Sequence, residues 1–163
     1  MLIGEYDHLL DTKNRVIVPM KIRETEGAAG ELCSEFVLTR GTESSLFIYT
    51  ADAWKRLENA MLGRGALPGE ERRRFQRLFN AGGVACACDR QGRIVVPEKL
   101  RGHAGLKREV TWIGAGDRAE LWDTAKWRAY EAENMKRFQE TFDRMAEDLS
   151  RTPPAHQPPS REL

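Results

Sequence analysis

No stretch of this 163-residue chain approaches the roughly 18 to 20 uninterrupted apolar residues that a membrane span requires. Its opening, MLIGEYDHLL, puts no positive charge ahead of its short apolar segment. That argues against a secretory signal and leaves the cytoplasm as the expected compartment. Charge of one sign is also scarce: 26 Lys and Arg stand against 25 Asp and Glu, for a net charge of +1. A protein that held nucleic acid through bulk charge would be more basic, so any such contact must come from local concentration of cations or from many copies acting together. Cysteine and histidine are sparse, three of each. Cys33, Cys86 and Cys88 make neither an even disulfide framework nor a Cys-x-x-Cys pair. On a strand, Cys86 and Cys88 would share a face, but His8, His103 and His156 can hardly complete a tetrahedral set. Small buried thiols in a reducing compartment are the expectation, with no metal and no cofactor.

Catalytic signatures are missing as well. There is no nucleophile elbow, Walker loop or His-Glu metal pair. GAGDRA, residues 114–119, resembles a dinucleotide loop, but the strand-like AELW follows it. A phosphate cradle needs a helix N-terminus there, so the segment reads as a hairpin loop. An enzyme is not expected.

What the chain does have is one phrase written twice. DTKNRVIVPMKIR begins at Asp11 and DRQGRIVVPEKLR at Asp89, with Asp, Arg, Val, Pro, Lys and Arg at the same six places. A lead-in segment precedes each copy, YDHLLD and VACACD. Each Arg opens a β-branched run, so strand, tight turn, strand is the natural reading. Gly92 supplies the positive φ such a turn wants, and Asn14, at the equivalent place, is the next-best residue for it. Pro19 and Pro97 stop both second strands because neither can donate to a ladder.

The likeness continues downstream. FVLTRGTESSLFIYT and VTWIGAGDRAELWDT both read as strand, Gly-containing loop, strand, with Thr50 and Asp123 at equivalent ends, both good helix N-caps. Trp54 and Trp127 each follow four residues later. The first copy carries extra residues near ETEGAAGELCSE, a place for a longer loop. Trp54, Leu57 and Met61 mark one helix, and Phe75, Leu78 and Phe79 a second, stopped by Gly82-Gly83. A third and longest helix runs from Asp123 to about Leu149, with Met135, Phe138, Phe142, Met145 and Leu149 in a narrow seam at 3-4-3-4 spacing. This divides the chain into a first repeat with helices (1–82), a second with the long helix (83–149), and a Pro-rich tail expected to be disordered (150–163).

Taken together, the doubled Asp-x-x-x-Arg with its apolar strand and Pro, GEYDHLLD at the start and GAGDRAELWD late, resembles the MraZ family of bacterial transcriptional regulators. The resemblance covers about residues 1–130; Asn14 departs from the usual turn glycine. It implies an α+β fold in which two AbrB-like (SpoVT-type) repeats interleave swapped hairpins into one small β-barrel flanked by helices. It further implies ring-shaped homo-oligomers above a dimer, binding to short direct repeats of double-stranded DNA upstream of the protein's own operon, control of the division and cell-wall gene cluster, and association with the nucleoid. An antitoxin or scaffold on the same barrel is the alternative.

The residues themselves say why such a hairpin suits DNA. Arg15 and Arg93, first after each turn, would project rigid five-donor forks that fit phosphate oxygens or a guanine edge. Asp11 and Asp89 sit four positions earlier and are better placed to order the turn and hold the arginine than to face DNA, which would repel them. Lys21, Arg23, Lys99 and Arg101 follow the prolines, and Lys13 and Arg90 lie in the turns. If the two turns lie side by side, these make one basic face. RRRFQR, residues 72–77, reads as the solvated face of its helix, with Glu70 and Glu71 favouring the helix dipole at its start.

Overall fold

Each lead-in segment alternates its side chains across a strand, and each Asp-x-x-x-Arg turns the chain back. The first repeat places β1 at Glu5–Leu9 and β2 at Arg15–Ile17; the second places β5 at Val84–Ala87 and β6 at Arg93–Val95. Between them lie β3 (Glu35–Arg40) and β4 (Leu46–Thr50), answered by β7 (Glu109–Gly114) and β8 (Ala119–Asp123). The computed structural model describes residues 1–24, 32–62 and 69–151.

The strands do not pair within their own repeats alone. β1 runs antiparallel to β7 of the second repeat, and β5 runs antiparallel to β3 of the first. β4 pairs with β8 at the centre, giving a six-stranded order β1-β7-β8-β4-β3-β5. Read from either end, that order places equivalent strands of the two repeats at equivalent depths. β2 and β6 pair with each other as a separate two-stranded ribbon. The small barrel that the resemblance implied is not closed by strand pairing: β1 and β5 are the unjoined edges of the large sheet. β2 and β6 are only three residues each, cut short by turns and by Pro19 and Pro97, so they have too little ladder to bridge those edges. The α+β class and the interleaving stand.

One core joins ribbon and sheet. Val16, Val18, Ile94 and Val96 from the ribbon side are buried with Leu38, Ile48, Val110, Trp112 and Leu121 from the sheet. Two short helices after the prolines, α1 (Met20–Arg23) and α4 (Glu98–Ala104), bury Ile22 and Leu100 in it. The sequence reading ended its strands at these prolines and did not see these helices, which carry too few apolar residues to show a periodicity. α2 (Ala51–Leu62) and α3 (Gly69–Asn80) follow β4, and α5 (Thr124–Arg151) follows β8. The expected caps are made: Ala53 N–H donates to Thr50 Oγ1 at 3.2 Å, and Lys126 N–H to Asp123 Oδ1 at 3.3 Å. Trp54 meets Tyr49 edge-on and Trp127 meets Trp122 the same way, at centroid distances of 5.7 and 5.5 Å.

Two compact units result, Met1–Trp127 and a second beginning at Arg128 within α5. In that second unit Met135, Phe138, Phe142, Met145 and Leu149 are exposed along the helix. No helix among the described residues is long and apolar enough to cross a membrane. Most of the extra loop in the first repeat and nearly all of the Pro-rich tail lie outside the described residues.

The exchange of strands leaves a close approach that only glycine allows. A Cβ on Gly114 would sit 2.4 to 2.6 Å from the backbone of Ile3, whose segment is held by Gly114 N–H donating to Gly4 O at 2.8 Å. Gly102 in α4, by contrast, has nothing within 4 Å of its missing Cβ. Gly114→Ala should therefore destabilise the chain by about 1–3 kcal/mol through overpacking. Gly102→Ala should stabilise it by about 0.5–1 kcal/mol through helix propensity. Urea unfolding of both variants checks the pair; equal effects of one sign would contradict the strand exchange.

Candidate nucleic-acid interface

The two Asp-x-x-x-Arg turns are built alike. In the first, Asp11 Oδ1 accepts the backbone N–H groups of Lys13 (2.8 Å) and Arg15 (2.9 Å), while Arg15 Nε donates to Oδ2 at 2.7 Å. In the second, Asp89 Oδ1 accepts from Gln91 (2.9 Å) and Arg93 (3.0 Å), and Arg93 Nε and Nη2 both reach Oδ2 at 2.8 Å. Asn14 and Gly92 take the positive φ each turn needs, 59° and 76°. Each carboxylate thus orders its turn and aims its arginine at once.

The turns are also tied to each other. Val18 N–H donates to Gly92 O and Val96 N–H donates to Asn14 O, both at 2.9 Å. Arg93 Nη1 lies 3.9 Å from Asp11 Oδ2. The structure therefore brings Arg15 and Arg93 together on one ribbon, with Arg15 opposite Val95 and Arg93 opposite Ile17. Val16 and Ile94 point into the core, which leaves Arg15, Ile17, Arg93 and Val95 on the other face. Ile17 and Val95 are 46% and 54% exposed, an apolar pair between two guanidinium groups that the sequence reading did not single out. The alternation of each strand was the signal for it.

The remaining cations are distributed unevenly. Lys13 and Arg90 are exposed in the turns, and Lys99 is exposed on α4. Lys21 is exposed and pairs at the surface with Glu24 at 3.0 Å. Arg23 is half-buried; its Nε donates to Cys33 O at 3.3 Å, and its Nη1 lies 2.5 Å from where a Cβ on Gly92 would stand. Arg101 has a buried Nε with no hydrogen-bond partner among the described residues. Arg72, Arg73 and Arg74 lie on α3, none of whose side chains is buried.

Residues 114–119 form the β7–β8 hairpin, with Ala115 N–H donating to Arg118 O at 2.9 Å, and no helix follows the loop. Burial pushes the Cys86 thiol up to about 12 and raises that of Cys88, so neither is a ready nucleophile. Among the described residues no group of three or more His, Cys, Asp or Glu is arranged to hold a metal ion.

Asp11 and Asp89 are held below the ordinary aspartate value of 3.8, first by the backbone amides of Arg15 and Arg93, and further by their guanidinium groups and the amides of Lys13 and Gln91. A carboxyl with a lowered folded-state pKa stabilises the hairpin fully above its unfolded value and loses that contribution as pH falls through the lowered one. Both hairpins should therefore be intact throughout the neutral range. Carboxyl-carbon NMR titrations of Asp11 and Asp89 should give midpoints below 3.8; midpoints at or above it would mean the turns do not hold these bonds in solution.

Comparison with known proteins agrees with this architecture. The model of the family described as "MraZ protein, putative antitoxin-like" matches twice, over residues 1–77 and 79–149. A protein named Transcriptional regulator MraZ from Alkaliphilus oremlandii is 42% identical over 147 residues, covering 90% of this chain and 98% of its own. Proteins of the same name from Caldanaerobacter subterraneus subsp. tengcongensis and Thermoanaerobacter pseudethanolicus are 41% and 40% identical, covering 91% and 90% of this chain and 96% and 98% of theirs. With both repeats matched in order and these relatives aligned nearly end to end, the chain belongs to the MraZ family.

Proposed function

We propose that this chain is a DNA-binding transcriptional regulator, and not an enzyme, that reads duplex DNA with the β2–β6 ribbon. The relatives' shared name supports the class. The observation that carries the mechanism is the pair of Asp-ordered turns held side by side by the Val18–Gly92 and Val96–Asn14 hydrogen bonds. A two-stranded ribbon fits the major groove of B-DNA. Arg15 is held to Asp11 through Nε, and Arg93 to Asp89 through Nε and Nη2 with its Nη1 3.9 Å from Asp11, which preorganises both guanidinium groups for a guanine edge or a phosphate. Ile17 and Val95 between them suit thymine methyl groups. Lys13, Arg90 and Lys99 add backbone contacts, while Asp11, Asn14, Asp89 and Gly92 shape the turns.

Affinity then demands several copies. One ribbon offers a handful of cations on a chain of net charge +1. Binding of that kind is typically ~10⁻⁴ to 10⁻⁶ M at physiological salt, whereas specific regulation works near ~10⁻⁸ M or tighter. Linking sites closes a gap of ~10² to 10⁴ without a new contact type. A head-to-tail ring larger than a dimer presents identical ribbons in sequence, and its fitting target is a set of evenly spaced direct repeats. We place that target upstream of the protein's own operon and its regulated genes in the division and cell-wall cluster, with the protein in the cytoplasm at the nucleoid. The repeats 1–82 and 83–149 act as one unit in this scheme. The antitoxin-like wording of the family description keeps a second reading, in which the same fold sequesters a protein partner.

The experiment is a gel shift of the full chain on duplexes from upstream of its gene, carrying one or several repeats, with the oligomer sized by light scattering. Arg15→Ala and Arg93→Ala should each weaken binding by roughly 10- to 100-fold, the loss of about 1–3 kcal/mol for a guanine contact, with circular dichroism unchanged. Affinity should collapse on a single repeat. A monomer that binds one repeat at nanomolar strength, or a double variant that binds normally, would refute the reading.

A further inference from the structure

The two hairpins match in fold and differ in what surrounds them. Leu10 N–H donates to Arg108 O at 2.8 Å, and Cys88 N–H donates to Ser34 O at 2.7 Å. These equivalent bonds align Arg108 with Ser34, Lys107 with Cys33, and, from the doubled phrase, Arg101 with Arg23. Beside the second hairpin the arginine is accommodated: Arg23 Nε reaches Cys33 O, and its guanidinium rests in the space that Gly92 leaves open. Beside the first hairpin Asn14 stands where Gly92 stands in the second, and its own Cβ denies Arg101 that resting place. Arg101 Nε is buried there with no acceptor among the described residues, an expensive state for a charged donor.

What lies next to it is an open cavity of about 560 Å³, lined by Arg101, Lys107 and Arg108 together with Asp11, Thr12 and Asn14. Lys107 and Arg108 are exposed, and neither side chain has an ion-pair partner among the described residues. The one carboxylate in the lining, Asp11, already has both oxygens engaged by Lys13 and Arg15. The cavity wall therefore carries three cations, Thr12 and Asn14, the apolar Leu10 and Leu106, and no uncommitted acid.

We infer that this cavity seats a backbone phosphate of the DNA that the ribbon contacts, held by Lys107, Arg108 and Arg101 at the flank of the first hairpin. The inference rests on the ribbon's being the DNA-reading element. A phosphate supplies the acceptor that Arg101 Nε lacks and matches the charge of all three groups. Its place beside the turn, off the face that carries Arg15 and Arg93, is where a strand backbone passes when a ribbon enters a groove. At the second hairpin the corresponding positions are Arg23, Cys33 and Ser34, with the arginine already committed. The DNA-facing end is two-fold in its backbone and one-sided in its charge. It meets DNA in one polarity, which suits repeats that all run in the same direction.

The test compares the full-length protein with Lys107→Ala/Arg108→Ala and with a charge-matched control, Arg73→Ala/Arg74→Ala on α3. Binding is measured over a salt series to an upstream duplex and to a random-sequence duplex of equal length. A phosphate seat predicts that Lys107→Ala/Arg108→Ala lowers the slope of log K against log salt by roughly 1 to 2 per engaged subunit. Affinity should fall in the same proportion on both duplexes, with preference between them unchanged and the control unaltered. Equal losses in the control, or an unchanged slope while Arg15→Ala still weakens binding roughly 10- to 100-fold, would overturn the seat and leave the ribbon standing. If Arg15→Ala also binds normally, the ribbon reading itself fails.

Discussion

Neither hairpin of this protein closes on its own repeat. After each turn the second strand finds its ladder partner in the other repeat, β2 on β6, and the first strand finds its own there too, β1 on β7 and β5 on β3. An unpaired backbone group in the interior costs free energy comparable to a lost hydrogen bond, so each half requires the other. The reciprocal bonds from Val18 to Gly92 and from Val96 to Asn14 are where that mutual requirement is tightest, and they run through the two turn residues that carry positive φ.

That exchange is also what makes one exposed surface from two short phrases. Alternation along β2 and β6 sends Val16 and Ile94 into the core and Arg15 and Arg93 to the opposite face. Pairing of the strands sets the two arginines diagonally across an exposed Ile17 and Val95. The aspartates fix the remaining freedom by accepting turn amides and guanidinium together. Core packing, turn geometry and the direction of the arginines are thus consequences of one register.

Much of this was legible in the residues. The doubled phrase announced two equivalent hairpins, Gly92 and Asn14 marked their turns, and Thr50 and Asp123 marked the starts of α2 and α5. Closure of the barrel was not legible, because whether two edge strands meet depends on sheet twist and strand length more than on local pattern. α1 and α4 were hidden by their shortness. Lys107 and Arg108 were missed because they lie outside the phrase and match Cys33 and Ser34 only through backbone pairing.

The central claim is that the ribbon, and no other element, enters the DNA. Amide hydrogen exchange of the full-length protein, with and without a duplex from upstream of its gene, tests it most directly. The account predicts that DNA slows exchange chiefly across residues 11–18 and 89–96, with a smaller effect near 101–108. Protection concentrated on α3 around Arg72–Arg77, with the two turns unchanged, would contradict it.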